Sequence, residues 1–279
     1  MPKVTVVIPC YNHGRFLDKA VDSILTQTFV DYEIFVINDG STDPYTIRKL
    51  ESYSKPKTTV FTKKNEHLSA ARNYGISRSK ADYILTLDAD DYFAPEFLEK
   101  AVAILKSDKS VGIVTSWCQT FGVVKRLVKH ELKVGAKAFL THNPCHASCL
   151  FRRRCWEEAG GYDETMRQGY EDWNFNIAVT KRGWMVHAIP EVLFHYRVGN
   201  VSMVTGSDRI RPELMGRLVK NHIELYRENV EEVVLEQERQ LQVLEQRLDA
   251  TRGSIAHRVG RAITDPAGMA KGLLRKFQR

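Results

Sequence analysis

The sequence has no apolar run close to the roughly 20 residues that a helix needs to cross a bilayer. Its first residues also lack a secretory signal, because their short apolar stretch leads into a turn and not into a small-residue cleavage site. With 43% hydrophobic and 27% charged residues, the composition is that of an ordinary globular protein. We therefore expect a cytoplasmic chain whose 279 residues form one large α/β domain with an appendage.

The chain has few cysteines, and their number is odd. Five cysteines spread over a chain of this length do not resemble a disulfide framework, so we expect them to be reduced. The alternative is a zinc site, although its spacing matches no common zinc pattern. The residues of that alternative are His142, Cys145, His146, Cys149 and Cys155.

The globular part of the chain has little net charge. The formal charge is +7, but the seven Lys and Arg and the single Asp of residues 252–279 already account for +6. The preceding 251 residues therefore carry about +1. This distribution argues against a basic groove for nucleic acid in the main domain.

A glycine-rich phosphate loop is also missing. The segment after the first predicted strand (residues 4–9) reads CYNHGRF, without GxGxxG and without a basic phosphate loop. A dehydrogenase is therefore disfavoured. A nucleotidyltransferase remains the rival class of enzyme, and a scaffold without activity remains the alternative outside enzymes.

What the first hundred residues do contain is an alternation of strand and helix patterns, which predicts an α/β fold with a mainly parallel sheet. Each predicted strand ends in a polar loop. In an open α/β sheet, the carboxyl ends of the strands form the ligand crevice, so we expect these loops to converge. The predicted strands are 4–9, 33–38, 58–62 and 83–88, and the loops are CYNHG, NDGSTD, KKNEH and DADD.

The DADD loop places Asp88, Asp90 and Asp91 after an apolar strand. Three carboxylates in a ligand crevice concentrate negative charge, and a hard divalent cation is the natural compensation. We therefore predict a Mg²⁺ or Mn²⁺ site that bridges a diphosphate. The alternative for Asp91 is that it only caps the helix predicted near Pro95.

Taken together, the motifs resemble the family 2 glycosyltransferases, which are inverting enzymes with the GT-A fold. The resemblance covers residues 3–205, and one such motif alone would be weak evidence. It implies a nucleotide-sugar donor, preferably a UDP-sugar, and a hydroxyl acceptor on a polysaccharide or a lipid-linked glycan. The motifs that carry it are VTVVIPCYNHGRFLDKAVDSILTQT, EIFVINDGSTD, ARNYGI, YILTLDADD, GGYDE, GYEDWNF and HYRVGNVSM.

The resemblance also implies donor-side roles for individual residues. Asp39 would bind the base, plausibly the imide of uracil, because an imide N–H suits a carboxylate acceptor. Arg72 would lie near the base and phosphates. Asp88 would contact the ribose or sugar, and Asp90 would hold the metal. The residues expected to line the nucleotide pocket are Pro9, Tyr11 and Asn12.

On the acceptor side, the resemblance implies that Asp172 is the base that removes the proton of the acceptor hydroxyl, with Glu171 positioning the acceptor. His195 would complete the metal shell, or would be an ordinary strand histidine. Arg197 and Ser202 would lie on a loop that closes over the diphosphate, or on a simple surface loop.

We divide the chain into a GT-A catalytic domain (1–212), a long helix (213–251) and a basic amphipathic tail (252–279). The helix has a heptad seam of about three heptads, which favours either a coiled coil between copies of the chain or packing on its own domain. The tail suits an anionic membrane surface, which would place the protein peripherally at the inner face of the membrane; a solvated tail is the alternative. The seam residues are Val230, Val234, Gln237, Leu241, Leu244 and Leu248.

Overall fold

The computed structural model describes residues 1–199, 207, 209–253 and 259, and its described strands form one ten-stranded sheet. The strands are β1 (Val4–Cys10), β2 (Tyr32–Asp39), β3 (Thr58–Lys63), β4 (Tyr83–Thr86), β5 (Tyr92–Phe93), β6 (Val111–Gly122), β7 (Leu127–Val128), β8 (Lys133–Val134), β9 (Leu150–Arg152) and β10 (Met185–Val198).

The described helices of the first 228 residues flank this sheet or follow it. They are α1 (Gly14–Leu25), α2 (Pro44–Glu51), α3 (His67–Arg78), α4 (Phe97–Ser107), α5 (Arg153–Ala159), α6 (Glu171–Thr180), α7 (Arg211–Asn221) and α8 (Ile223–Glu228), with a short 3₁₀ helix at Ala136–Phe139. A further helix, α9 (Val230–Gly253), belongs to a separate compact unit that begins at residue 229.

The sheet order is β3-β2-β1-β4-β9-β6-β10-β5. β3, β2, β1 and β4 are mutually parallel, β10 is parallel to β6, and β9 runs antiparallel between β4 and β6. The predicted α/β class with a mainly parallel sheet is therefore confirmed. Because β1 is central to the parallel half, its carboxyl end has the ends of β2 and β4 on either side.

The helices cover both faces of the sheet, and β1 is buried at every position. Val6 and Ile8 pack into the core that contains residues of α1 and α4, and Val7 packs into the core that contains residues of α3 and α6. Gly75 of α3 brings this helix close to the sheet, since a Cβ atom there would lie 2.6 Å from Val7 Cγ1. This close packing positions the polar side chains of α3 at the edge of the sheet.

Two expectations for individual strands need correction. The apolar segments 185–189 and 192–197, which the sequence pattern predicts as two short strands, form the single strand β10, with a register shift between Ile189 and Val192. The irregularity accommodates Pro190, which has no N–H for the ladder. The strand predicted at 83–88 ends at Thr86, because the chain turns at Asp88, whose carbonyl accepts a hydrogen bond from the Asp91 N–H.

The chain from 213 to 251 is not one helix, as we predicted, but parts of three. α7 and α8 pack on the catalytic unit: Leu218 is fully buried, and the Tyr226 hydroxyl donates to the Leu140 carbonyl (3.1 Å). The turn between them is held by His222, which is 5% exposed and bonded to Asn174 (3.1 Å). The compact catalytic unit therefore extends to Glu228 and does not end at residue 212.

Helix α9 buries none of its residues within the described structure. Its predicted seam is exposed, with Val230 and Leu244 each 59% exposed. Self-association through this seam stays a prediction. Apart from residues 252, 253 and 259, the predicted membrane-binding tail lies outside the described residues, and no helix in the described part of the chain is long and apolar enough to span a bilayer.

These boundaries predict different outcomes for two truncations. A chain of residues 1–228 should keep the free energy of unfolding of the first compact unit, because it retains all of α7 and α8. A chain of residues 1–212 should lose several kcal/mol, since each large buried side chain that is removed contributes about 1.5–3 kcal/mol. Urea denaturation followed by circular dichroism measures both, and equal stability of the two truncations would contradict the boundary at 228.

Candidate active site

The polar loops after β1, β2 and β4 lie together at one edge of the sheet. The parallel register pairs Val4 of β1 with Tyr32 on one side and with Tyr83 on the other, so the three strands end at a common edge. Asp39 ends β2, and Asp88 follows β4 by two residues. The predicted convergence of donor-side residues is therefore present in the fold.

The loop after β1 is tied to the loop after β2 by Asn12. Its Oδ1 atom accepts hydrogen bonds from the backbone N–H groups of Thr42 (2.7 Å) and Asp43 (2.8 Å). The N-cap of α1 is His13, which makes no side-chain cap bond. Tyr11 is 45% exposed and available to a ligand, whereas Pro9 is buried in β1.

Asp39 is 3% exposed, and one of its oxygens is already occupied. Its Oδ1 atom accepts from Lys63 Nζ (3.0 Å) and from the backbone N–H of Glu66 (3.1 Å). No described side chain donates to Oδ2. Lys63 was missed in the sequence, although it ends the neighbouring strand β3 in register with Asp39.

Arg72 is fully buried, and its expected place near the base and phosphates stays a prediction. Its Nη1 atom donates to Glu171 Oε1 and its Nη2 atom to Asp88 Oδ1, both at 2.8 Å. Burial opposes its charge, but these two carboxylates raise its pKa, so the guanidinium stays ionised. Arg72 thus connects the donor-side acid to the acceptor-side acid.

The three aspartates after β4 have different surroundings. Asp88 is held by Arg72, and its backbone N–H donates to Ser148 Oγ (3.3 Å). Asp90 has a side chain that is 24% exposed, with Oδ1 3.9 Å from His13 Nδ1. Burial, followed by the negative charge of Asp88, raises the pKa of Asp90.

Asp91 neither caps the next helix nor faces a ligand. It is 1% exposed, and its Oδ1 atom accepts the backbone N–H of Arg197 at 2.7 Å, which attaches the loop to β10. The N-cap of α4 is Glu96. Asp91 therefore has a structural contact in place of the ligand or cap role considered for it.

The acidic loop fits a divalent cation through Asp90. No group of three or more His, Cys, Asp or Glu in the described part of the chain forms a ready-made metal cluster. Mg²⁺ and Mn²⁺ at phosphate sites need only one or two protein carboxylates, because the phosphates supply further ligands. The repulsion from Asp88 that raises the pKa of Asp90 is a repulsion that a cation would relieve.

The geometry does not favour His195 as a metal ligand. Its ring is stacked on Tyr92, with the centroids 4.4 Å apart and the planes at 5°. Burial and the nearby ammonium of Lys19 lower the pKa of His195. A neighbouring cation disfavours the binding of another one, so the role of His195 stays a prediction without structural support.

The zinc alternative is not assembled among the described residues. All five cysteines are free and buried, and Cys145, Cys149 and Cys155 belong to the core around α6. The His146 ring faces His130, with their Nε2 atoms 2.7 Å apart. These cysteines therefore behave as small core residues.

Glu171 and Asp172 begin α6, as predicted, but they point to different partners. Tyr170 before them is the N-cap and has a φ of 64°, an uncommon value for a residue other than glycine. Glu171 is 5% exposed and bonded to Arg72, so it is not oriented towards an acceptor.

Asp172 is partly exposed, and its Oδ2 atom accepts from Asn143 Nδ2 (2.9 Å). Burial and then the adjacent Glu171 raise the pKa of Asp172 to about 7, although Arg72 opposes the shift. A carboxylate with a pKa near neutrality is suited to accept a proton. Asn143, like Lys63, was missed by the sequence reasoning.

Arg197 lies at the border of the acidic loop. Its guanidinium packs 4.4 Å from the ring centroid of Phe16 and 4.7 Å from that of Phe121, and its Nε atom donates to the Asp90 carbonyl (3.3 Å). Ser202, which we placed on the same loop, lies outside the described residues.

A mainly parallel α/β sheet with this acidic edge defines the class of fold, and comparison with known families identifies the chain within it. The model of the family described as "Glycosyl transferase family 2" matches residues 5–178, which is well over half of the chain. The chain therefore belongs to glycosyl transferase family 2.

Curated relatives agree with this family. The chain is 28% identical over 192 residues to a chondroitin synthase of Pasteurella multocida, an alignment that covers 67% of this chain and 20% of that protein. It is 29% identical over 205 residues to the putative glycosyltransferase EpsE of Bacillus subtilis, covering 70% and 73% respectively. The chain thus spans about a fifth of the synthase and most of EpsE.

Solved structures show the same fold. The structure of S. aureus TarS 1–349 in complex with UDP-GlcNAc superposes with a TM-score of 0.61 at 20% sequence identity, covering 73% of this chain and 60% of that one. The GT-A fold that the sequence resemblance implied is therefore confirmed.

The buried position of Arg72 predicts the effect of removing it. Arg72→Met should destabilise the protein by about 3–5 kcal/mol near neutral pH, because the buried Glu171 and the partly buried Asp88 would lose their cation. The loss should shrink as the pH falls, since protonation removes the unpaired charges. Urea denaturation at several pH values measures this, and Arg78→Met, at the exposed end of the same helix, is the control. A stability of Arg72→Met equal to that of the control would contradict the assignment.

Proposed function

We propose that the protein is an inverting glycosyltransferase that transfers a sugar from a UDP-sugar to a hydroxyl group of a polysaccharide or lipid-linked acceptor. The observation that carries this proposal is the pair of bonds from Arg72 to Asp88 and Glu171, which joins the loop that contains Asp90 to the start of the helix that contains Asp172. The family membership and the synthases among the relatives support glycan assembly as the setting.

The donor side is arranged for a uridine nucleotide. Asp39 presents Oδ2 while Lys63 and the Glu66 N–H hold Oδ1, so one acceptor atom is left for the imide N–H of the base. The exposed ring of Tyr11 lies two residues beyond the buried Pro9 and can cover the base. TarS, which shares the fold, has been solved with UDP and with UDP-GlcNAc, and this supports UDP as the nucleotide here.

Asp90 is the residue that would hold a divalent cation. When bound, Mn²⁺ or Mg²⁺ would supply positive charge to the departing nucleoside diphosphate. The chain's own contribution is to leave the Asp90 carboxylate partly exposed, whereas one oxygen of Asp88, which is also partly exposed, is held by Arg72 and one oxygen of Asp91 by the β10 backbone.

Asp172 is the proposed base. It would accept the proton of the acceptor hydroxyl as that oxygen attacks the anomeric carbon, so a single displacement inverts the sugar and needs no covalent intermediate. Glu171 and Arg72 act through Asp172: the first raises its pKa and the second limits the rise. The base is active when ionised, so transfer should increase as the pH rises through about 7.

The metal assignment predicts that Mn²⁺ strengthens UDP binding to the wild type and that EDTA removes this gain. In Asp90→Ala, Mn²⁺ should add little to UDP affinity, and transfer should fall at least roughly 100-fold, because a few kcal/mol of charge stabilisation are lost. Isothermal titration calorimetry with UDP measures the binding. Asp31→Ala, an exposed acid at the amino end of β2, is the control. Wild-type transfer in the presence of EDTA would refute the metal.

The base assignment predicts that Asp172→Asn binds UDP normally but loses roughly 10²- to 10⁴-fold in transfer, the usual contribution of a general base. The wild-type rate should rise through pH 7, whereas the residual rate of the variant should lack this limb. UDP release from a panel of UDP-sugars is the measurement. A variant with the wild-type rate and pH profile would reject Asp172 as the base.

A further inference from the structure

The segment of residues 141–149, here called the Asn143 loop, contacts both halves of the proposed site. On the donor side, Thr86 Oγ1 donates to the Ala147 carbonyl (2.7 Å), and the Asp88 N–H donates to Ser148 Oγ (3.3 Å). On the acceptor side, Asn143 donates to Asp172 (2.9 Å). The loop therefore links the residues next to the proposed metal and donor site to the proposed base.

The orientation of the Asn143 amide is set by a second asparagine. Asn176 lies one helical turn beyond Asp172, is 1% exposed, and donates from Nδ2 to Asn143 Oδ1 at 3.3 Å. Because the carbonyl of Asn143 is engaged there, its NH₂ group faces Asp172. A donor in this position stabilises the carboxylate form of Asp172 and engages one chosen oxygen.

We propose that Asn143 is the positioning residue of the proposed base: its amide holds Oδ2 of Asp172, so that Oδ1 is presented to the acceptor hydroxyl. This inference rests on the proposed function, because it assigns Asn143 a task in the proton transfer from the acceptor. Within the described chain no side chain donates to Oδ1 of Asp172, so no side chain competes with the substrate for this oxygen.

If Asn143 only secured the loop, its replacement would have a different effect from the one expected of a positioning residue. The Asn143 loop is anchored independently through Thr86, whose N–H also donates to the Cys149 carbonyl (3.2 Å). A contact that only secured the loop would therefore be partly redundant, and its loss would not change the titration of Asp172. Positioning of the base requires that the titration change.

Several other groups face Asp172 and would be unaltered by a change at Asn143. On its own helix Glu171 adds negative charge, and from α3 Arg72 adds positive charge. Asp88 lies beyond Arg72 and adds a weaker negative charge. The neutral groups that sense the Asp172 charge from other elements are Cys145, Tyr162 and Tyr196.

The test compares wild type, Asn143→Ala and Asn143→Asp with selectively ¹³C-labelled aspartate carboxyl groups, using Asp172→Asn to assign the resonance of Asp172. Loss of one hydrogen bond to a charged group should raise the pKa of Asp172 by roughly one unit in Asn143→Ala. Asn143→Asp should raise it further, because a second carboxylate would face the first. The acid limb of UDP release should move to higher pH by the same amounts.

Thr86→Val is the matched control, because it removes a side-chain anchor of the same loop without touching Asp172. It should lower the melting temperature and leave the pKa of Asp172 in place. Asn143→Ser, which is too short to reach the carboxylate, serves the same purpose as Asn143→Ala if the alanine variant does not fold.

An unchanged pKa of Asp172 in the Asn143 variants would overturn the inference, and so would a shifted pKa without a shifted limb in UDP release. The proposed function fails separately: if Asp172→Asn transfers sugar at the wild-type rate, Asp172 is not the base, whatever its carboxyl resonance shows. The positioning role is supported if the Asn143 variants shift both the pKa of Asp172 and the acid side of the pH profile of UDP release, and if Thr86→Val shifts neither.

Discussion

The site depends on one buried cation. Arg72 is fully enclosed, and such a charge is tolerated only when carboxylates compensate the loss of hydration. Those carboxylates come from distant parts of the chain: Asp88 after β4 and Glu171 at the start of α6. Their bonds to Arg72 therefore join the loop after β4, on the proposed donor side, to the start of α6, which carries the proposed base. The helix α3 that supplies Arg72 can reach this point because Gly75 lets it lie close to β1.

The neighbouring acids of each motif also have different partners in the structure, although they look alike in the sequence. Asp88 is neutralised by Arg72, Asp91 is used by the β10 backbone, and Asp90 keeps a partly open carboxylate. On the proposed acceptor side, Glu171 accepts a hydrogen bond from Arg72 and Asp172 accepts one from the Asn143 amide. Environment, not residue type, thus decides which carboxylate is free to bind a cation and which is free to accept a proton.

The fold and the edge of the site followed from the sequence because they rest on local signals. Apolar strands that end in polar loops specify a parallel sheet and place Asp39 and Asp88 at its carboxyl edge. Lys63 and Asn143 could not be found in this way, since each acts through a partner far along the chain: Lys63 is 24 positions from Asp39, and Asn143 is 29 from Asp172. The burial of Arg72 escaped detection for the same reason. The prediction of one helix at 213–251 was wrong. The first part of this segment packs on the preceding domain through Leu218 and Tyr226, and periodicity alone does not reveal such a tertiary contact.

The pairing of Glu171 with Asp172 has a consequence for the chemistry. Glu171 and Asp172 are adjacent and repel each other. Asp172 has no bonded cation, and burial and this repulsion both raise its pKa. Arg72 is bonded to Glu171, and its positive charge limits how far the pKa of Asp172 rises. Asn143 adds a donor that favours the ionised form of Asp172. Burial and the negative charge of Glu171 raise the pKa of Asp172, whereas the charge of Arg72 and the backbone N–H of Trp173 lower it, and the result is a value of about 7 that suits a group proposed to accept a proton.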